Sequence, residues 1–94
     1  MYILFVYTFF VMLPFRWDPE KNTLLKNERG VCYDDLISRA IVLDIVTHPV
    51  RTHQHIIVWE LDNYIYCSPC IIESDYIFLK TLYPDRKKKK KYTS

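Results

Sequence analysis

The sequence predicts an α+β domain with two N-terminal helices packed on an antiparallel sheet of three or four strands. Two helix-start signals lie in the first third of the chain, and several runs rich in Ile, Val, Tyr and Trp follow them. Short turn sequences separate those runs, as in a meander of adjacent strands. The chain has 94 residues, half of them apolar, which is enough for one hydrophobic core and too few for two.

We divide the chain into an apolar extension (1–12), one α+β domain (13–87) and a basic tail (88–94). The extension has no basic n-region and no small-residue cleavage site, and it is shorter than the roughly 17–25 residues of a spanning helix. We therefore expect it to be dispensable, with Met12 as the working start of translation. The alternative is a short anchor, which would make the chain a small membrane-tethered protein.

The first elements are a short strand over residues 13–17 and a helix from Pro19 to about Arg29. Asp18 is a typical N-cap, and proline is favoured at the first helical position. Gly30 follows where a left-handed C-cap is favoured. These local signals predict both ends of the first helix.

A second helix is predicted to start at the Tyr33-Asp34-Asp35 sequence. Its apolar positions fall at helical spacing and include Leu36, Ile37, Ala40 and Ile41. Residues 42–46 are β-branched and apolar, and fit either the last helical turn or a strand. A polar loop with a proline follows over residues 47–55.

Two strands, 56–61 and 64–72, flank Asp62-Asn63, which is typical of a type I′ hairpin turn. Pro69 implies a bulge or an edge position in the second of these strands. A further strand over residues 76–83 should stop at Pro84. Its alternation predicts that four side chains share one face, Tyr76, Phe78, Lys80 and Leu82, and that four share the other, Ile77, Leu79, Thr81 and Tyr83.

Charge is distributed unevenly along the chain. The net charge is +2, but residues 80–94 contain seven of the thirteen Lys and Arg residues and only one acid, Asp85. The rest of the chain is therefore acidic. A basic end on an acidic body predicts a polyanion partner for the end and a basic protein partner for the body.

Four segments in order resemble the BrnT-type toxins of bacterial toxin–antitoxin pairs: residues 15–22 (FRWDPEKN), 28–31 (ERGV), 56–60 (IIVWE) and 77–81 (IFLKT). Pro84 and the Arg86-Lys87 pair extend the resemblance. It implies a RelE-like ribonuclease fold and a cytoplasmic endoribonuclease that cleaves RNA without a metal or other cofactor. It also implies a small DNA-binding antitoxin that covers the basic surface.

The chain departs from the family pattern at Asp85, where relatives have a small hydroxyl residue. An acid beside the proposed RNA site leads to an alternative function, a catalytically inactive module that binds antitoxin or nucleic acid. This alternative retains the fold and the partners of the family. It differs from the first only in lacking turnover.

Metal-free RNA cleavage requires proton transfer and stabilisation of a pentacoordinate phosphate. The residues assigned to this chemistry are Arg86, Lys80, Tyr92 and His48. The residues assigned to RNA binding are Lys87, Lys88, Lys90 and Lys91. For Lys88 to Lys91 a solvated tail that binds any polyanion is the simpler interpretation. Six aromatic residues are candidates for a base-stacking platform: Trp17, Trp59, Tyr64, Tyr66, Phe78 and Tyr83. Most of them are expected to lie in the core.

The Cys67-Ser-Pro-Cys70 sequence allows a zinc or redox site completed by His53 and His55. Residues three apart in a strand point to opposite faces, however, so packing cysteines are the expected interpretation. Three cysteines without an export signal also favour a reducing cytosol over a disulfide framework.

Overall fold

The computed structural model describes residues 13–87 of the chain. Its elements are β1 (Phe15–Arg16), α1 (Pro19–Arg29), α2 (Tyr33–Arg39), β2 (Ile41–Thr47), β3 (His55–Leu61), β4 (Tyr64–Ile72), β5 (Ile77–Leu79) and β6 (Tyr83–Pro84). Both helices precede the long strands and pack on one face of a sheet. The predicted α+β class is therefore confirmed.

The sheet is mixed and has six strands, in the order β1-β5-β4-β3-β2, with β6 also paired to β4. All pairs are antiparallel except β1 with β5, where Phe15 lies beside Ile77 in a parallel register. The prediction of a purely antiparallel sheet with three or four strands is therefore wrong. The short strand predicted over residues 13–17 is present as β1, but its parallel pairing with β5, most of the domain away, is not visible in local sequence. The two-residue strand β6 carries no periodicity that would mark it as a separate strand.

The predicted start and end of α1 are confirmed. The Asp18 Oδ1 atom accepts a 3.0 Å hydrogen bond from the Glu20 N–H. Gly30 adopts a φ of 75°, and its N–H donates to the Lys26 carbonyl at 3.0 Å. The left-handed conformation carries little cost for glycine because it has no Cβ.

Helix α2 begins at Tyr33, as predicted, but it ends at Arg39. Ala40 is extended, and Ile41 starts β2, so the helical assignment of these two residues is wrong. Residues 42–46 are a strand, with a bulge between Val42 and Asp44. Their β-branched side chains suit a pleated surface, and pairing with β3 outweighs the helical spacing.

The hairpin between β3 and β4 turns at Asp62 and Asn63, whose φ angles are 52° and 68°. Positive φ at both positions is the type I′ geometry that was predicted. Pro69 pairs with Ile56 in an unbroken register with β3, and its carbonyl accepts from the Lys80 N–H at 2.9 Å. The backbone N and O of one residue point to the same side of an antiparallel strand, so the side on which proline lacks an N–H faces the interruption between β5 and β6. The strand therefore accommodates Pro69 without the predicted bulge.

The predicted last strand is divided into β5 and β6. Leu82 is fully buried with Ile77 and Leu79 on the helix side, whereas Tyr83 packs on the opposite face. The predicted faces of Leu82 and Tyr83 are therefore wrong. At the interruption, Arg29 Nη1 donates a 2.8 Å hydrogen bond to the Leu82 carbonyl, which ties this segment to the end of α1 and changes the phase of the alternation.

The sheet buries apolar side chains on both faces. The helix-side core contains Leu25, Val31, Tyr33, Leu36, Ile57, Trp59, Leu61, Cys70, Ile77, Leu79 and Leu82. We call the buried residues on the other face the far-side cluster, which consists of Ile56, Val58, Ile65 and Cys67.

Candidate nucleic-acid interface

Arg86 and Lys87 lie in a helical turn directly after β6, where both are exposed. The Asp85 N–H donates to the Ile65 carbonyl at 2.9 Å, which attaches this end to β4. Asp85 Oδ1 accepts from the Lys87 N–H at 3.0 Å. The strand end therefore holds the backbone of two adjacent cations in place.

The Asp85 carboxylate is engaged in local structure. Besides Lys87, its Oδ2 atom lies 3.9 Å from the Sγ of Cys67, which donates toward it. Aspartate and serine are both strong acceptors for a backbone N–H at a turn or helix start. Asp85 thus caps this turn, and it adds a negative charge beside the two cations.

An exposed aromatic residue, Tyr64, lies at the same end of the sheet as these cations. The Asp85 N–H bonds to the Ile65 carbonyl, and Tyr64 and Arg86 are the chain neighbours of this bonded pair. Tyr64 is 56% exposed. An exposed aromatic ring and exposed cations at the same end of a sheet are a typical combination for binding single-stranded nucleic acid, since the ring stacks on a base and the cations bind phosphate.

The other aromatic candidates are less available. Trp59 is buried in the helix-side core, where its ring lies 5.8 Å from that of Phe15. Trp17 packs on Tyr33 at 5.7 Å, and Tyr66, Phe78 and Tyr83 are partly buried. Most of the set therefore belongs to the core, as expected.

Lys80 lies at a distance from this surface. It is partly buried between β5 and β6, and its N–H bonds to Pro69, whereas Asp85 bonds to Ile65. Four residues along β4 correspond to about 13 Å. The backbones of Lys80 and Arg86 are therefore anchored at different points along β4.

His48 lies at the opposite end of the sheet. It follows Thr47, which is aligned with His55 and through it with Cys70, five residues or about 17 Å along β4 from Ile65. The structure thus separates the three predicted catalytic residues that it describes, Arg86, Lys80 and His48.

The His48 ring is a structural part of its loop. Its Nδ1 atom accepts hydrogen bonds from the Val50 N–H at 3.1 Å and from the Arg51 N–H at 3.0 Å. The neutral ring must then carry its proton on Nε2, which is a donor. His48 can accept a proton as a general base only by losing these backbone contacts.

Tyr92, Lys88, Lys90 and Lys91 lie outside the described residues. The expected extension, residues 1–12, also lies outside them. The catalytic and RNA-binding roles assigned to these residues remain predictions.

The two residues of the CxxC sequence face opposite sides of the sheet, as predicted: Cys67 is in the far-side cluster and Cys70 in the helix-side core. Burial raises the pKa of the Cys70 thiol to about 12, so it stays protonated and is a poor metal ligand or nucleophile. Residues 13–87 contain no group of three His, Cys, Asp or Glu side chains arranged to hold a metal ion. Packing is therefore the role that the geometry supports for both cysteines.

Sequence reasoning did not identify Arg16 as a surface feature. Its guanidinium lies 4.6 Å from the centre of the Tyr76 ring, in a cation–π contact at the β1–β5 edge. In the sequence, the only indication of this contact is that an arginine occupies the short strand β1. The parallel register that brings it to Tyr76 is not encoded locally.

Neither helix within residues 13–87 has the length and apolar composition that a membrane crossing requires. Comparison of the chain with protein-family models, curated proteins and solved structures found no match.

Proposed function

We propose that this chain is the toxin of a toxin–antitoxin pair and acts in the cytosol as a metal-independent endoribonuclease. The observation that carries the proposal is that exposed Tyr64 and the exposed cations Arg86 and Lys87 lie at the same end of the sheet, which the Asp85–Ile65 hydrogen bond fixes. The resemblance of the sequence to BrnT-type toxins supplies the reaction. A small DNA-binding antitoxin would restrain the toxin by covering the same surface.

Each residue of this surface has a role in the proposal. Tyr64 stacks on a base, the planar fork of Arg86 binds the phosphate at the cleaved bond, and Lys87 binds an adjacent phosphate. The lysines of the tail extend the electrostatic contact, which weakens as salt concentration rises. Tyr92 supplies proton transfer, and Lys80 contacts a more distant phosphate.

A second candidate is a binding module without catalytic activity. The separation of Lys80, Arg86 and His48, together with the occupied Nδ1 of His48, favours this alternative. A single strand of RNA would still bind at Tyr64 and Arg86. The two candidates therefore share a ligand and differ in turnover.

The test is induction of the full chain in bacteria, with growth and total RNA followed together. We expect arrest with RNA loss for the parent chain and neither effect for Arg86→Ala. Arg51→Ala is the matched control, because Arg51 is an exposed arginine in the loop at the other end of the sheet. Normal growth and intact RNA with confirmed expression of folded parent protein would contradict the endoribonuclease.

Binding separates the two candidates. With labelled single-stranded RNA, removal of a stacking ring at Tyr64→Ala should weaken the affinity by about 1–3 kcal/mol. RNA binding without cleavage by the purified chain would favour the binding module. Recovery of cleavage in Asp85→Ser would then show that the acid at position 85 suppresses turnover, whereas loss of both binding and cleavage in the parent chain would exclude both candidates.

A further inference from the structure

The face of the sheet opposite the two helices carries an arginine and two aromatic rings at the β1–β5 edge. Ile77 and Leu79 are buried in the helix-side core, so the alternation of side chains along β5 points Phe78 to the opposite face. Arg16 is the Cα partner of Phe78 in the parallel pairing and therefore shares its face. The Arg16 guanidinium lies 4.6 Å from the centre of the Tyr76 ring, which brings that ring to the same place.

Lys80 adds a second cation to this group. Its N–H donates to the Pro69 carbonyl at 2.9 Å, so the pairing with β4 continues for one residue beyond the end of β5. Alternation then brings Lys80 to the face of Phe78. The two residues from Phe78 to Lys80 span about 7 Å, and the strand that carries Arg16 is about 5 Å to the side. We call Arg16, Tyr76, Phe78 and Lys80 the cation–aromatic strip.

The two cations of the strip belong to no described ion pair. Arg16 is exposed and Lys80 is partly buried. Two salt bridges are formed within residues 13–87, and each joins a residue of a helix to an aspartate, so neither includes Arg16 or Lys80. The contact with Tyr76 positions the guanidinium and leaves its positive charge in place. Both charges can therefore bind an anionic ligand.

The combination of groups selects the class of ligand. The cations bind phosphate or carboxylate, whereas the partly buried Phe78 ring provides an apolar surface for a flat group. An acidic peptide would use the cations but has no base to place on the ring. Single-stranded RNA has phosphates and unpaired bases along one chain, and it can use both kinds of group.

We propose that the cation–aromatic strip is a second contact region for single-stranded RNA. Arg16 and Lys80 bind phosphates, and Phe78 stacks on a base. Tyr76 acts as a positioning residue that holds the Arg16 guanidinium. The inference rests on the proposed function, because the ligand is the same RNA that binds at the end of β6.

The strip is separate from that first region. Asp85, the residue before Arg86, bonds to Ile65 on β4. Arg16 is aligned with Phe78 and through it with Ile71, six residues or about 20 Å further along β4. Substitutions in the strip therefore leave the first region in place, and the two regions can be tested independently.

The affinity of the full chain for labelled oligouridine of about 15 nucleotides tests the charges. Arg16→Gln combined with Lys80→Gln should reduce the slope of log affinity against log salt concentration by about 1.4, because each phosphate contact on a single strand contributes about 0.7. The matched control is Lys21→Gln with Arg51→Gln, which removes one lysine and one arginine from α1 and from the loop after β2. An equal reduction of the slope in both double variants would overturn the strip.

The ring is tested by Phe78→Leu, which retains an apolar side chain on the sheet. Oligouridine affinity should fall about fivefold, the lower end of the range for the loss of one stacking contact. Affinity for polyglutamate should be unchanged. Parent-like affinity of Phe78→Leu for oligouridine would overturn the proposal, because the surface would then be a charge patch for any polyanion.

Ultraviolet cross-linking of oligouridine to the unaltered chain needs no substitution and does not depend on the folding of a variant. The peptide that contains residues 76–80 should carry the cross-link, and cross-links confined to other segments would overturn the strip. The first region is scored separately. Weaker binding in Tyr64→Ala and Arg86→Ala with parent-like binding in every strip variant would overturn this inference and retain the proposed function, whereas a parent chain that binds no RNA would overturn both.

Discussion

The indole Nε1 of Trp59 donates a 2.6 Å hydrogen bond to the Oγ of Ser68 inside the protein. Trp59 lies on β3 and is 3% exposed, and Ser68 lies on β4 and is fully buried. The bond joins the two central strands diagonally on the helix side. It satisfies an indole donor that would otherwise be buried without a partner.

Ser68→Ala should therefore lower the free energy of unfolding by about 1–3 kcal/mol, because it leaves the Trp59 N–H unsatisfied. Urea denaturation followed by tryptophan fluorescence measures this change. Ser74→Ala, at an exposed position, serves as the control and should have little effect. Equal stability of both variants would show that Trp59 finds another acceptor.

Tyr33→Phe should cost no stability, although Tyr33 is fully buried. Within residues 13–87 the phenol oxygen has no hydrogen-bond partner, so its removal breaks no bond in the described structure and retains the ring contact with Trp17. Denaturant midpoints of the two proteins provide the comparison. A loss of more than about 1 kcal/mol would indicate a partner for the hydroxyl.

The same residue should limit alkaline stability. Burial, aided by the charge of Asp18, raises the pKa of Tyr33 from 10.0 to about 12. As the pH rises from 10 to 12, the unfolded chain loses this proton while the folded chain retains it, so the free energy of unfolding falls. Tyr33→Phe should show a smaller decline over that interval, and an identical decline would place its origin elsewhere.

The hydrogen bonds of the Asp35 carboxylate should make the protein less stable in acid. Its Oδ2 atom accepts from Lys26 Nζ at 2.9 Å and from the Cys32 N–H at 3.0 Å. The bond from Lys26 is the main reason that the pKa of Asp35 lies below its ordinary value of 3.8. The contribution of Asp35 to the free energy of unfolding is therefore complete above pH 3.8 and is lost as the pH falls through the lowered pKa.

Asp35→Asn should reduce stability at neutral pH and make the remaining stability less dependent on pH below 3.8. Asparagine still offers an oxygen to Cys32, but it carries no charge for Lys26. Denaturation midpoints between pH 2 and pH 6 measure the slope. Asp75→Asn, an exposed site, should leave the slope unchanged; the same slope for Asp35→Asn and the parent chain would contradict the assignment.

Gly30→Ala should destabilise the protein by about 1 kcal/mol through its backbone alone. The φ of 75° disfavours a Cβ, while the space that a Cβ would occupy has no atom within 4 Å. Gly30→Asn should cost less, because asparagine tolerates the left-handed conformation. Thermal denaturation of both variants tests this order, and equal losses would indicate that contact rather than conformation decides.

The parts of the fold that were predictable have short-range causes. Asp18 caps the helix that begins at the next residue, Gly30 ends the same helix, and Asp62-Asn63 turns adjacent strands. In each case the signal and its structural effect lie within a few residues. Local chemistry therefore determines these boundaries.

The parts that were not predictable depend on distant contacts. The division between β5 and β6 coincides with the bond from Arg29 to the Leu82 carbonyl, and β1 depends on a parallel pairing with β5. The candidate site follows the same rule. The exposure of Arg86 and Lys87 was predictable, whereas their position at the same end of the sheet as Tyr64 depends on the distant bond between Asp85 and Ile65.

The pairing of Phe15 with Ile77 has a consequence for synthesis on the ribosome. The β2, β3 and β4 strands are adjacent in the chain and can pair as soon as each emerges. The β1 strand is made first, but its partner is among the last described residues to leave the ribosome. The earliest of the described strands to be translated therefore cannot join the sheet until β5 has been made, and a nascent chain must keep its sheet edge from aggregating during that interval.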